Sequence, residues 1–354
     1  MKKKPLEFFG KKLKAEQQSA LEILETGHSL CCHFSTNFGK SLVFQSYAAH
    51  THKSVIVISP LKALSNNQVD ISPLSAAKID GTTSKKNREE IIGNFKTKYK
   101  ILYTTPESFI SNNLIDICSD VLIVFDECHK ILEWGENFRK KFTEVFNLTK
   151  KLQVLLLSAT LTEDDFLFFE EKILGVKFLE NISERINLEE KLIIKNFIPT
   201  FENIKSQIIR DEKTLIFCRT KKSVEKISTR LTSSGFHASA YHSGLTKKGE
   251  REKLEQQFFN GEITILVATC AFELGVNVND IRKVIFHDLP LSLSSYKQQM
   301  GRAGRDNLPA EIIIFYSSQV LDFWYSKFCT SVSAKKGYAD LIKYFQELHN
   351  RQSE

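Results

Sequence analysis

Short apolar runs, separated by turns and amphipathic stretches, recur along the whole chain and constrain its fold more than any other feature. Val55–Ile58, Ile101–Tyr103, Val121–Phe125 and Val154–Leu157 occupy the first half; Thr214–Phe217, Thr264–Val267, Lys283–Phe286 and Ile312–Phe315 resume the rhythm in the second. Consecutive apolar positions give a strand that needs cover on both faces. Such strands alternating with helical segments predict an α/β fold built on mainly parallel sheets flanked by helices. Open sheets of this kind bind ligands past the carboxyl ends of their strands, and the polar motifs of this chain fall there.

At 354 residues there is room for two domains, each with its own core. Polar residues interrupt the pattern between Asn181 and Glu190. The expected division is a first domain over 1–183, a second over 184–322 and a short helical extension over 323–354. In that extension Tyr338, Leu341, Ile342, Phe345 and Leu348 recur at helical spacing, which predicts a stripe packed on a core. The net charge of +7 favours a polyanionic partner. Met1-Lys2-Lys3-Lys4-Pro5 imitates the start of a secretory signal, but Glu7, Lys11, Lys12 and Lys14 leave no apolar segment behind it. No stretch reaches the roughly 20 apolar residues that span a bilayer. A cytoplasmic protein without a membrane partner is expected.

The cysteines, Cys31, Cys32, Cys118, Cys128, Cys218, Cys270 and Cys329, form no C-x-x-C pair, so neither zinc nor a disulfide framework is expected. Cys31-Cys32-His33 looks metal-like, but neighbouring strand residues point to opposite faces and read as packing.

Three motifs carry chemistry. Ser35-Thr36-Asn37-Phe38-Gly39-Lys40-Ser41 follows the apolar strand Ser29–Cys32 and precedes a helix. Phosphate binding needs backbone N–H groups at a helix start, a lysine for the terminal phosphates and a hydroxyl on Mg²⁺; Lys40 and Ser41 fit the last two roles. The full G-x-x-x-x-G-K-S pattern is absent, because Phe34 stands at its first glycine. Asp126-Glu127-Cys128-His129 closes the most apolar run. Carboxylates at a strand end are costly unless a cation or a proton uses them: Asp126 suits Mg²⁺ and Glu127 suits the attacking water, against the plainer reading of a polar helix cap. In the second half Arg302 and Arg305, expected at a helix start and on one face, suit the charge on a transferring phosphoryl group. Lys40 with Asp126 and the two arginines would then complete one site as the domains close.

In this order and spacing the motifs resemble superfamily 2 helicases of the DEAD/DEAH type, and within them the RecQ DNA helicases, from about Phe9 to Tyr316. The resemblance implies two tandem RecA-like domains, ATP and Mg²⁺ as cofactors, and 3′-to-5′ movement on single-stranded or tailed DNA. It implies that Gln17, 23 residues before Lys40, reads adenine, and that Thr36, Asn37, Phe38, Gly39, Lys40, Ser41 and Gly275 line the nucleotide. His129, Gln298, Arg302 and Arg305 join Lys40, Asp126 and Glu127 as catalytic residues, with Ser41 and Asp126 on the metal. Ser59, Pro60, Gln68, Thr105, Arg219, His242 and Thr269 match strand-contacting motifs. Trp134-Gly135-Glu136-Asn137-Phe138-Arg139 resembles the aromatic loop of the RecQ group, where Trp134 and Phe138 stack on bases and Arg139 adds charge.

The departures are specific. Asn37 and Phe38 replace two glycines of the usual Thr-Gly-Gly-Gly-Lys-Ser loop, and Phe38 beside a triphosphate is expected to weaken ATP binding. Glu273 replaces a usual glycine in the fifth motif. The zinc module and winged-helix wedge of the full RecQ enzymes have no counterpart here, so a partner protein supplying a strand-separating element is expected. Two other readings stay open: an RNA helicase of the wider group, and a nucleic-acid-binding subunit that has lost catalysis.

Overall fold

The computed structural model of the chain describes residues 6–35, 38–59, 68–133, 136–181, 187–194, 200–245, 249–269, 278–316, 325 and 332–353. The chain divides into two compact units, Met1–Glu184 and Arg185–Glu354.

The first unit begins with a small antiparallel pair, β1 (Glu7–Phe8) and β2 (Lys11–Lys12). A sheet of seven strands follows: β3 (Leu30–Phe34), β4 (Ser54–Ile58), β5 (Ala76–Ile79), β6 (Ile101–Thr104), β7 (Val121–Asp126), β8 (Val154–Ser158) and β9 (Lys177–Asn181). Their order is β5-β6-β4-β7-β8-β3-β9, parallel throughout. Helices α1 (Ala15–Glu25), α2 (Lys40–Thr51), α3 (Lys85–Gly93), α4 (Pro106–Ser111), α5 (Lys130–Glu133), α6 (Glu136–Thr149) and α7 (Glu163–Lys172) connect and cover them.

Two apolar cores lie on the two faces. Cys31, Ile56, Ile123 and Leu156 pack with Phe142, Phe146 and Phe169 on one. Cys32, Val57, Val124 and Leu155 pack with Phe34, Phe44 and Tyr47 on the other. Burying each large side chain removes it from water for roughly 1.5–3 kcal/mol. Cys31 and Cys32 therefore serve opposite cores, as strand alternation requires.

The second unit repeats the plan with β10 (Leu188–Ile194), β11 (Thr214–Phe217), β12 (Ala238–Tyr241), β13 (Ile265–Ala268), β14 (Lys283–Phe286) and β15 (Ala310–Tyr316). The order is β10-β15-β14-β11-β13-β12, again parallel. Its helices are α8 (Phe201–Lys205), α9 (Lys221–Ser233), α10 (Glu250–Phe259), α11 (Leu293–Met300) and α12 (Val332–Ser353). The stripe on α12 is buried at Tyr338, Leu341, Phe345 and Leu348, inside the core formed with Phe286 and Tyr296. Glu190 on β10 fixes that docking, since its carboxylate accepts the hydroxyls of Tyr296 and, at 2.6 Å, Tyr344.

Candidate nucleotide-binding site

Neighbouring strands run about 4.8 Å apart, so β3 and β7, with β8 between them, end roughly 10 Å from each other. The phosphate loop leaves β3, the acidic pair leaves β7, and the Ser158-Ala159-Thr160 turn leaves β8. One patch of sheet edge thus collects all three.

Gly39 precedes α2 with φ +90°, and no side chain caps the helix. Its left-handed backbone admits glycine cheaply, and a Cβ there would sit 2.7 Å from Gln17 Nε2. The helix start therefore keeps backbone N–H groups for an anion. Lys40 Nζ donates to the carbonyl of Phe34 at 3.4 Å. Gln17, buried on α1, ties the loop down: its Nε2 donates to the carbonyls of Phe38 (2.9 Å) and Gly39 (3.1 Å), and its Oε1 accepts the Lys14 N–H at 2.9 Å.

Phe38 departs from expectation. Its ring is buried, 4.6 Å from that of Phe34, with Lys14 Nζ 4.2 Å above it. The ring belongs to the core beneath the loop, because apolar contact with Phe34 and a facing cation outweigh exposure at the strand ends.

Asp126 closes β7, and Glu127 follows with φ +53°, a left-handed conformation costly for this residue and concentrated at functional sites. Burial, and then the charge of Glu127, push the Asp126 carboxyl up to about 7, against the opposing pull of Lys40. His129 is fully buried, and its Nδ1 lies 2.8 Å from Ser158 Oγ and 3.6 Å from Glu127 Oε2. Burial first, then the charges of Lys130, Lys40 and His33, hold its imidazole well below the ordinary range, so it is neutral. Ser158 Oγ also accepts the Thr160 N–H at 3.0 Å. That serine carries no role in the sequence reading; its place in a Ser-Ala-Thr turn after an apolar run was the signal.

The donor set fits Mg²⁺. Two adjacent carboxylates beside one ammonium leave negative charge for a divalent cation to balance, and oxygen is the ligand this ion takes.

Among the positions expected from the sequence to contact a nucleic-acid strand in the first unit, Ser59 is buried with no hydrogen-bond partner for its hydroxyl among the described residues. Gln68 is half-buried. Thr105 caps α4, its hydroxyl accepting the Ser108 N–H at 3.3 Å. Thr36, Asn37, Pro60, Trp134, Glu273 and Gly275 lie outside the described residues, as do the side chains of Phe138 and Arg139, whose backbone belongs to α6.

In the second unit Arg219 donates its backbone N–H to Asp288 Oδ2 (2.9 Å) and its guanidinium to the carbonyl of Leu289. His242 accepts the Gly244 N–H on Nδ1 at 3.0 Å, so Nε2 carries the proton toward Glu225 Oε1 at 2.6 Å. Nδ1 thus closes the turn after β12, and Nε2 ties that turn to α9. Thr269 is buried and donates its N–H to the Tyr241 carbonyl at 3.2 Å. Gln298 is buried on α11.

Arg302 and Arg305 do not begin a helix. They follow the end of α11, which stops at Met300, in successive tight turns: Arg302 N–H to Gln299 O (3.1 Å) and Ala303 N–H to Met300 O (3.1 Å). Gly304 explains the break. Its φ is +53°, and a Cβ would lie 2.6 Å from Asn187 Nδ2 and 2.8 Å from the Leu308 carbonyl.

A DEAD/DEAH box helicase family model matches residues 14–166, and a helicase conserved C-terminal domain model matches 196–307. The chain belongs to the DEAD/DEAH-box helicases. Its two parallel sheets have the plan of that family's two RecA-like units. The chain is 31% identical over 327 residues to the ATP-dependent DNA helicase RecQ of Bacillus subtilis, covering 88% of this chain and 55% of that protein. It is 31% identical over 312 residues to the RecQ of Haemophilus influenzae, covering 84% and 48%. The chain thus spans about half the length of these curated relatives. The solved structure of S. cerevisiae Dbp5 bound to RNA and ADP BeF3 superposes with a TM-score of 0.70 at 18% identity, covering 93% of this chain and 88% of that one. At that identity the likeness speaks for the fold.

Proposed function

We propose that this chain hydrolyses ATP to drive 3′-to-5′ movement along single-stranded or tailed DNA, as a motor of RecQ type. The observation that carries the reading is the grouping of a free helix start with Lys40, the Asp126–Glu127 pair and neutral His129 at adjacent strand ends. The choice of DNA rests on the likeness to RecQ proteins.

In this reading Lys40 leaves the Phe34 carbonyl to meet the terminal phosphates, while Gln17 and the start of α2 hold the nucleotide. Ser41 and Asp126 would hold Mg²⁺, which when bound withdraws charge from the phosphoryl oxygens. Glu127 orients the attacking water and takes its proton. His129, uncharged, ties Glu127 to the Ser158 turn. Arg302 and Arg305, with Gln298, neutralise charge developing on the transferred group. Ser59, Pro60, Gln68, Thr105, Trp134, Phe138, Arg139, Arg219, His242 and Thr269 serve the DNA strand through phosphate contacts and stacking. A cytoplasmic setting and a partner protein that supplies the strand-separating element complete the proposal. Among the described residues no helix is long and apolar enough to cross a membrane.

The test is steady-state ATP turnover with single-stranded DNA or RNA of equal length. Lys40→Ala and Glu127→Gln are expected to lower stimulated turnover by on the order of 10²-fold or more, with unchanged circular dichroism. Wild-type rates in either variant would overturn the assignment, and stronger stimulation by RNA would move the motor to the RNA helicases.

A further inference from the structure

The register of the second sheet brings together three metal-ligating side chains that lie far apart in sequence. β11 and β14 pair in parallel with Phe217 opposite Phe286. The ladder continues past both strands, as the His287 N–H donates to the Phe217 carbonyl at 3.0 Å. Cys218 therefore leaves one strand beside His287 and Asp288 leaving the other. Cys218 Sγ, an imidazole nitrogen of His287 and a carboxylate oxygen of Asp288 all lie within 4.8 Å of one another.

The detailed geometry suits ligands of one ion. His287 Nδ1 and Asp288 Oδ2 are 3.1 Å apart. Nδ1 is shielded from solvent, and that carboxylate is the group it faces. A tetrahedral zinc ion, bound at about 2.0–2.2 Å by nitrogen and oxygen, sets two such ligands roughly 3.3 Å apart. We propose that Cys218, His287 and Asp288 form a zinc site that clasps the ends of β11 and β14 and leaves one coordination position open.

The electrostatics agree. One thiolate and one carboxylate balance the charge of a divalent ion, which offsets part of the cost of burying it. A thiolate, an imidazole and a carboxylate are the ligands zinc takes, whereas Mg²⁺ takes oxygen. Burial pushes the Asp288 carboxyl up, but His287 and Arg219 outweigh it and hold it below the usual range, so it is ionised. Burial pushes the Cys218 thiol well up, so loading must release its proton. The Arg219 N–H on Asp288 Oδ2 at 2.9 Å supplies the outer-shell bond that orients a ligating carboxylate. The ion would fix the turns that carry Arg219 and Leu289.

The full chain, freed of any affinity tag and dialysed against metal-depleted buffer, is assayed for metal by mass spectrometry. About one zinc per chain is expected. Replacement by Co²⁺ should give a thiolate-to-cobalt charge-transfer band that vanishes in Cys218→Ser. His287→Gln, at a less buried position, should weaken zinc binding by more than the roughly 10–100-fold typical of losing an outer-shell partner. Folded protein without zinc that fails to take it up, or zinc affinity and cobalt spectra unchanged in both variants, overturns the site. Neither readout depends on ATP turnover.

Discussion

Asp126 sits near its titration point at neutral pH because the fold removes it from water next to a second carboxylate. Its value of about 7 in the folded protein exceeds the roughly 3.9 of an unfolded chain. The folded state therefore holds a proton that the unfolded state has released between those values. Stability contributed by this residue falls as pH rises from about 4 to about 7, and the full cost is present above 7. In chelated protein, Asp126→Asn should raise the melting temperature at pH 8, by about 2–4 °C for each kcal/mol relieved, and change it little at pH 4.5. Mg²⁺ should narrow the gap at pH 8 by binding the wild-type folded state. Equal shifts at both pH values would show that the carboxylate carries no such strain. His129 works in the opposite direction, since an imidazole held neutral costs stability as pH falls below about 6.5.

The phosphate loop is an element held from below. Phe38 is sunk against Phe34 and under Lys14, while Gln17 gathers the next carbonyls, so the loop trades glycine freedom for an aromatic anchor. Phe38→Gly should therefore destabilise the first unit by about 3–5 kcal/mol, as core aromatic truncations do. It should raise KM for ATP with kcat nearly unchanged, and Phe38→Leu should recover part of both losses. Tighter ATP binding in Phe38→Gly would mean that the ring obstructs the nucleotide, as the sequence alone implied. Sequence shows that a phenylalanine replaces glycine; it does not show which way the ring turns. The same limit appears at the sheet margins. All of the apolar runs read from the sequence became strands, whereas in the two large sheets β5, β9, β10 and β12 escaped notice, and these are the edge strands of those sheets. An edge is half solvated, so its residues lose the continuous apolar signature; β5 and β12 show only partial burial. Arg302 and Arg305 read as a helix start because their spacing suits one, but Gly304 is crowded by Asn187 and Leu308, contacts that arise only from tertiary packing.

Across the whole molecule, the two motifs of the first unit were legible because each follows a strand, and strand ends are where an α/β sheet exposes polar groups, whereas Arg302 and Arg305 follow α11. The nucleotide chemistry proposed for Lys40, Ser41, Asp126 and Glu127 rests on residue types that few other roles demand together, and the first sheet carries them at the ends of β3 and β7. The His129–Ser158 bridge and the Cys218, His287 and Asp288 cluster were hidden, because strand register alone brings such residues together. The account as a whole claims that a charge from the second unit serves hydrolysis of a nucleotide held by the first. Arg305→Ala tests this most directly, with ATP affinity and single-stranded-DNA-stimulated turnover measured on the same preparation. The account predicts ATP affinity close to wild type and turnover reduced by on the order of 10³-fold, the scale of losing an arginine finger; turnover at the wild-type rate would contradict it.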